Sequence, residues 1–196
     1  MTVQNVIDQL KSGEFKNLSS KAFDEAIAIS YINLALIELY KRFRLRTEEA
    51  VVDLEDNTTL YTLPNDCMLV IEAYDEEGKI YNINDEDDAL SILTPSWNQI
   101  QVPNPATGGS VFVIYVASPI WLTTVDDELP IPPQMLEALL HYCGYRANMT
   151  IDGEAQAESN VHYMRFEASC KRLKELGLFT QDDVNYKFST QDKGFV

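Results

Sequence analysis

Histidine and cysteine, the side chains that most often perform catalysis or bind transition metals, are scarce in this chain. There are two histidines and three cysteines among 196 residues. His141 and Cys143 are two residues apart in a predicted helix, so they point about 200° away from each other and cannot share an ion. His162 and Cys170 are separated by more than two helical turns. The spacing therefore predicts core or interface histidines, and we expect no metal site, no cofactor and no catalytic residue.

Two acidic clusters are the other candidates for chemistry. They are DEDD at 85–88 and DDE at 126–128, and paired carboxylates can hold Mg²⁺ for phosphoryl transfer. Two-metal sites, however, draw their carboxylates from separate rigid elements and lie beside a basic groove, and neither feature is evident. We interpret 85–88 as a solvated acidic loop and helix cap, and keep a metal-dependent nuclease only as an unfavoured alternative.

The acidity is concentrated in the middle of the chain. The net charge is −16 overall, and it divides into about 0 for residues 1–50, −14 for 51–131 and −2 for 132–196. Sequence-independent affinity for DNA depends on Lys and Arg, so this middle segment is not a DNA-gripping surface. An acidic protein that mimics DNA or binds a host factor is therefore a second alternative.

The chain shows no export or membrane signal. No run approaches the roughly 18 apolar residues of a membrane helix, and the first residues lack the basic and apolar regions of a signal peptide. An odd number of cysteines in apolar surroundings favours reduced, buried thiols. We expect synthesis and retention in a cytoplasm, with no membrane partner.

Helical periodicity occupies both ends of the chain. Apolar residues recur at spacings of three and four in the segments near 2–12, 20–44, 132–149 and 154–176. Pro132 suits the start of the third helix. Cys143, Gly144 and Ala147 are small and would let a neighbouring backbone approach closely. The third and fourth helices are predicted to form a hairpin.

The middle segment changes to short runs rich in β-branched and aromatic residues, which predict a small antiparallel sheet or barrel. These runs are 50–54, 58–63, 67–74, 79–83, 98–102 and 110–116, with a helical turn following Asp88. The predicted fold class is α+β, mainly α: a helical bundle with an antiparallel β insertion at about 46–120 and an extended C-terminal tail. The predicted domains are a bundle of 1–46 plus 130–177, an acidic β-rich insertion of 47–129 and an arm of 178–196.

Two surfaces are predicted to bind partners. The helix at 20–44 is apolar nearly all round between Ala26 and Tyr40, which implies either a subunit interface or a deeply buried central helix. The interface candidates are Ile27, Tyr31, Leu34 and Ile37. The C-terminal tail alternates apolar and polar residues, as in a strand added to a partner's sheet or, alternatively, a frayed end. Its candidate docking residues are Phe179, Val184, Tyr186, Phe188 and Phe195.

Four sequence features stand in a recognisable order. They are YINLALIELYKRF in the long helix, TTLYTLPNDCMLVIEAY, FVIYVASPIWL, and LPIPPQMLEALLHYCGYRA before the last hairpin. In this order and spacing they resemble the head-to-tail adaptor (connector) proteins of tailed bacteriophages, including podovirus tail-tube adaptors. The resemblance covers roughly residues 20–176.

The resemblance implies a structural virion protein and no enzyme. Such adaptors form a homo-oligomeric ring, commonly of twelve subunits, at the virion neck below the portal. The expected partners are other copies of the chain, the portal protein, a tail or nozzle protein, and double-stranded DNA that passes through without sequence-specific binding. Made in the host bacterial cytoplasm, the ring would extend the DNA channel, dock tail components and serve DNA ejection, with the C-terminal arm reaching into the portal.

Overall fold

The computed structural model describes residues 1–15, 24–103, 108–149 and 155–177, and within the last range the side chains from 159 onwards. These residues form four α-helices and seven strands. The helices are α1 Val3–Ser12, α2 Glu25–Phe43, α3 Leu136–Met149 and α4 Ala155–Glu175. The strands are β1 Thr47–Asp53, β2 Leu60–Thr62, β3 Cys67–Asp75, β4 Ile80–Tyr81, β5 Leu93–Ser96, β6 Gln99–Gln101 and β7 Ser110–Ala117.

Local side-chain chemistry explains where the helices begin. Thr2 and Asn5 form a reciprocal capping box at the start of α1, and Asp24 accepts a hydrogen bond from the Ala26 backbone at the start of α2. Pro132 precedes a short 3₁₀ turn, Pro133–Met135, that leads into α3. The starts of these three helices thus follow from residue type.

The strands pair only in antiparallel fashion and form two sheets. The larger sheet has the order β1-β7-β3-β4, and the smaller has the order β2-β6-β5. The β1–β7 ladder runs from the Thr47–Val116 pair to the Asp53–Ser110 pair. The central strand β7 therefore joins two chain segments that are far apart in sequence.

Two separate clusters of buried side chains hold the described residues together. The helical cluster combines α1, α2, α3 and α4 with Leu122 and Leu129, which follow the sheets in sequence. The second cluster lies among the strands and their connections and includes Val113, Tyr115 and Ile100. The β part is thus stabilised by burial of its own apolar side chains.

The fold class predicted from the sequence, a mainly α-helical bundle with a β insertion, is wrong. The four helices lie close to the predicted ranges, but the β part comprises two antiparallel sheets rather than one small sheet or barrel. The predicted helical turn after Asp88 is also wrong, because 93–96 is strand β5 and pairs with β6. Pairing between strands that are far apart in sequence does not appear in the local periodicity. The extent of the sheets was therefore underestimated from the sequence.

Several predicted features lie outside the described residues. They are the first residues of the second helix at 20–23, the loop at 104–107, the helix-hairpin turn at 150–154 and the tail from 178.

Arg46 lies between the end of α2 and the start of β1. Its guanidinium donates a hydrogen bond to the Ser118 carbonyl at 3.1 Å and pairs with Glu48 at 2.5 Å and Asp66 at 3.5 Å. The Glu48 hydrogen bond raises the pKa of Arg46 further. Arg46 thereby connects the start of β1 with the chain leaving β7.

The chain also returns from the sheets to its own N-terminus. The Val3 amide donates to the Asp127 carbonyl, and the Leu129 amide donates to the Met1 carbonyl, both at 2.9 Å. Tyr40 on α2 donates its hydroxyl hydrogen to the Pro130 carbonyl at 2.6 Å. The segment 123–130 is therefore fixed against α1 and α2 before α3 begins.

Candidate functional site

The long apolar helix α2 is buried unevenly. Ile32, Leu36 and Leu39 are fully buried against the rest of the chain. Of the predicted interface residues, Ile27 is exposed, whereas Tyr31, Leu34 and Ile37 are partly buried. The four predicted residues therefore lie on the less covered side of the helix. Whether another subunit covers that side remains a prediction.

A buried amide fixes an apolar loop to α2. The Asn33 side chain donates to the Leu122 carbonyl and accepts from the Leu122 amide, both at 2.9 Å, and Asn33 itself is buried. The preceding residues, Ile120 and Trp121, are 68% and 56% exposed. Two large apolar side chains thus face solvent on a loop that is fixed to α2 at the next residue, Leu122. Sequence reasoning missed Asn33, because a single amide in an apolar run gives no sign of its partner.

The C-terminal half of α2 is joined to α4 by charge. Arg42 pairs with Glu38 at 2.6 Å and with Glu167 at 2.7 Å, and its guanidinium lies 4.6 Å from the Phe166 ring centroid. The hydrogen bond from Arg42 is the main cause of a lowered pKa for Glu167. Arg42, in the last turn of α2, is therefore engaged in ion pairs within the chain.

The two histidines, which the sequence placed in separate helices, meet at one carboxylate. His141 Nδ1 lies 3.1 Å from Glu14 Oε1, and His162 Nδ1 lies 2.7 Å from Glu14 Oε2. Contact with the two histidines lowers the pKa of Glu14 to about 2, against the opposing effect of burial. Glu14 lies just after α1, and no spacing signal connects positions 14, 141 and 162.

Gly144 makes the approach of α4 to α3 possible. A Cβ atom at this position would lie 2.9 Å from Nδ1 of His162, which is closer than non-bonded atoms approach. Cys143, Gly144 and Ala147 are all buried. The sequence suggested close approach of a neighbouring backbone, but the atoms nearest to a Cβ at Gly144 belong to the His162 side chain.

The acidic clusters serve their own loops. Asp85 and Asp88 accept backbone hydrogen bonds from residues two positions later, at 3.1 and 2.9 Å, and Asp88 also accepts from Asn82. Asp127 accepts hydrogen bonds from the backbone amides of Thr123 and Thr124, and these bonds lower its pKa. Carboxylates at these positions explain the local turn geometry.

The predicted docking arm, with Phe179, Val184, Tyr186, Phe188 and Phe195, lies outside the described residues. Within the ranges that the structure describes, no helix is both long and apolar enough to cross a membrane.

The comparison with protein families gives the class of this molecule: a structural adaptor of phages. The model of the SU10 adaptor protein family matches residues 1–190, and the chain belongs to that family. The resemblance to phage head-to-tail adaptors that the sequence motifs indicated is thereby confirmed. A comparison with curated proteins gives no match.

Proposed function

We propose that the chain is a head-to-tail adaptor that assembles into a closed ring of twelve copies below the portal vertex of the virion. The ring extends the DNA channel and docks a tail or nozzle protein at the virion neck. Membership of the SU10 adaptor protein family supports this role, because adaptors join portal and tail. The protein would be made in the host bacterial cytoplasm and act without catalysis.

The apolar loop anchored to α2 is the observation that carries the proposed subunit contact. Ile120 and Trp121 are exposed while Asn33 holds the loop root through two hydrogen bonds. Large apolar side chains that are exposed on an ordered loop are typical of contact sites, because burying them costs little extra conformational entropy. A neighbouring subunit would cover this loop together with Ile27, Tyr31, Leu34 and Ile37 on the less buried side of α2.

The acidic β part is assigned to the surfaces away from that contact. Residues 51–131 carry the net charge of about −14, which would repel DNA phosphates. A lumen lined by such a surface lets DNA pass without adhering, and a tail protein with a basic surface would also be attracted to it. Under this proposal, 1–46 plus 130–177 build the ring together with the loop of Ile120 and Trp121. The rest of 47–129 faces the lumen or tail, and 178–196 form the arm.

The arm is assigned to the portal. Its apolar residues alternate with polar ones at Val184, Tyr186 and Phe188, which suits a strand that pairs with the edge of a partner's sheet. Phe179 and Phe195 supply further apolar contacts near the two ends of the arm. Deletion of 179–196 should abolish binding to portal while the unfolding transition of the remaining chain stays the same. Unchanged portal binding would refute the arm assignment.

The subunit contact is tested with two exposed tryptophans as a matched pair. Trp121 and Trp97 are 56% and 59% exposed, but Trp97 lies between strands β5 and β6, in the β part. Ring formation on portal would be followed by native mass spectrometry for the variants Trp121→Ala and Trp97→Ala. We expect loss of the ring only with Trp121→Ala. Equal ring formation by both variants would show that the loop of Ile120 and Trp121 is not part of the subunit interface.

A further inference from the structure

The only two histidines of the chain and Glu14 form a compact, largely buried cluster between three elements. Glu14 follows α1, His141 lies on α3 and His162 lies on α4. The side chains of His141, His162 and Glu14 are 13%, 12% and 18% exposed. One ligand atom from each of them lies within 4.8 Å of the others. This convergence is independent of the surfaces assigned to assembly.

The atoms of the cluster are close, but they are poorly directed for hydrogen bonding. Nδ1 of His141 and Nδ1 of His162 are both buried, and neither has a hydrogen bond of acceptable geometry within the described part of the chain. Their separations from the Glu14 oxygens are nevertheless only 3.1 and 2.7 Å. Ligands around a metal ion have this relationship: they lie close together because their lone pairs are directed at the ion rather than at one another.

The distances also suit an ion of the size of zinc. Zn–N and Zn–O bonds of about 2.1 Å in a tetrahedron place neighbouring ligand atoms roughly 3.4 Å apart. To reach that value from 3.1 and 2.7 Å, the His141 pair would have to separate by about 0.3 Å and the His162 pair by about 0.7 Å. Two imidazoles with one carboxylate favour zinc over magnesium and calcium, which prefer oxygen ligands alone.

The residues around the cluster are compatible with both imidazole rings directing Nδ1 at a common metal ion. Gly144 leaves room for the His162 ring, since a Cβ there would meet Nδ1 at 2.9 Å and the neighbouring ring carbons at 3.1 Å. Nε2 of His141 lies 3.8 Å from Oε1 of Glu137. When a metal takes the Nδ1 lone pair, Nε2 carries the proton, and the Glu137 carboxylate lies on that side of the ring.

We propose that Glu14, His141 and His162 bind a divalent transition metal ion, with zinc preferred and water completing the coordination. The ion would tie the segment after α1 to both helices of the hairpin, and so stabilise the folded chain. This site goes beyond the proposed adaptor function and does not depend on it. It also departs from the sequence-based expectation of no metal, because helical spacing within the chain could not bring positions 14, 141 and 162 together.

The test is a zinc titration of tag-free, metal-stripped protein, followed by calorimetry and by nitrogen-15 spectra of the imidazoles. The chain has only two histidines, so both can be followed without ambiguity. We expect one zinc per chain, a rise in the melting temperature and a change in the Nδ1 resonances of both rings. Magnesium should do none of these.

Glu14→Gln and His162→Gln keep side chains of similar size, and each should lower zinc affinity about tenfold or more. Asp87→Asn, in the exposed acidic loop, is the control and should leave zinc affinity unchanged. Absence of zinc uptake by the wild-type chain would show that the cluster is a set of Glu–His ion pairs alone. Zinc uptake that leaves both imidazole spectra unchanged would place the metal elsewhere, and either result overturns the proposal without any bearing on ring assembly.

Discussion

Arg42 donates two hydrogen bonds to Glu167, at 2.9 and 2.7 Å, and so joins the end of α2 to α4. The contact is bidentate and charge-assisted, the strongest form of an arginine–carboxylate pair. Glu38, one helical turn before Arg42, accepts a third hydrogen bond at 2.6 Å. The apolar helix is therefore fixed to the last helix by a specific polar contact as well as by burial.

Glu167→Gln should make the free energy of unfolding less dependent on pH in the acidic range. The pKa of Glu167 is lowered in the folded state from an ordinary value of 4.5, so the carboxylate stabilises the fold above that pH. This contribution is lost as the pH falls through the lowered pKa. Because Glu167 is partly exposed, we expect a loss of only about 1 kcal/mol at neutral pH, which disappears in acid.

Urea unfolding of both proteins at neutral pH and well below pH 4.5 measures the effect. Glu175→Gln is the control, because Glu175 faces exposed Lys171 at 3.8 Å and should contribute little. A deficit for Glu167→Gln that persisted undiminished in strong acid would contradict the assignment.

Asn33→Leu should destabilise the protein by about 1–3 kcal/mol, even though leucine is close to asparagine in size and more apolar. The variant leaves the buried amide and carbonyl of Leu122 without the partners that Asn33 supplies. Chemical denaturation gives the free energy of unfolding. Asn160→Leu, at an exposed position of α4, is the matched control. Equal stability of the two variants would remove Asn33 as the anchor of the Trp121 loop.

Most of the helical structure could be predicted from the sequence, because helix formation depends on residues that are close together in the chain. Caps, proline placement and spacing at three and four depend on near neighbours, so α1 and α3 begin close to where Thr2 and Pro132 indicate. The sheets were underestimated because pairing such as that of Thr47 with Val116 depends on the whole chain. Strand β5 was not predicted, and its first residue, Leu93, was assigned to a helical turn, since DEDD followed by apolar residues resembles a helix start.

The candidate sites were predictable to a smaller extent. The small residues beside Gly144 indicated a close contact, but not that His162 would fill it. The roles of Glu14 and Asn33 could not be predicted from the sequence. Glu14 is a lone carboxylate and Asn33 a lone amide in an apolar run, and the partners of both lie far away along the chain. The sequence analysis considered only nearby cysteines as partners of His141 and His162. Their common partner, Glu14, lies more than a hundred residues earlier in the chain.

Gly144→Ala should destabilise the chain by about 1–3 kcal/mol, because its methyl group would overlap the His162 ring. The usual effect of this substitution within a helix is a gain of about 1 kcal/mol. Thermal or chemical unfolding in the wild-type and His162→Ala backgrounds completes a double-mutant cycle. The substitution should be tolerated, or stabilising, where His162 is absent. The same effect in both backgrounds would show that the ring is not the obstacle.

The three cysteines should react slowly with a thiol reagent until the protein unfolds. Cys67, Cys143 and Cys170 are all buried and free, and burial raises the pKa of each, that of Cys170 to about 11. Little thiolate is therefore available near neutral pH. Titration with an aromatic disulfide should detect three thiols in denaturant and almost none in the native state. Rapid native reaction of even one thiol would contradict the observed burial.

Assembly on the portal tests the central claim most directly. The chain would be mixed with the portal protein of its own phage and examined by negative-stain microscopy, alongside portal alone and the chain alone. We expect a closed ring of twelve adaptor subunits seated on the portal, whether or not the free chain is monomeric. A chain that stays monomeric and never binds portal would contradict it.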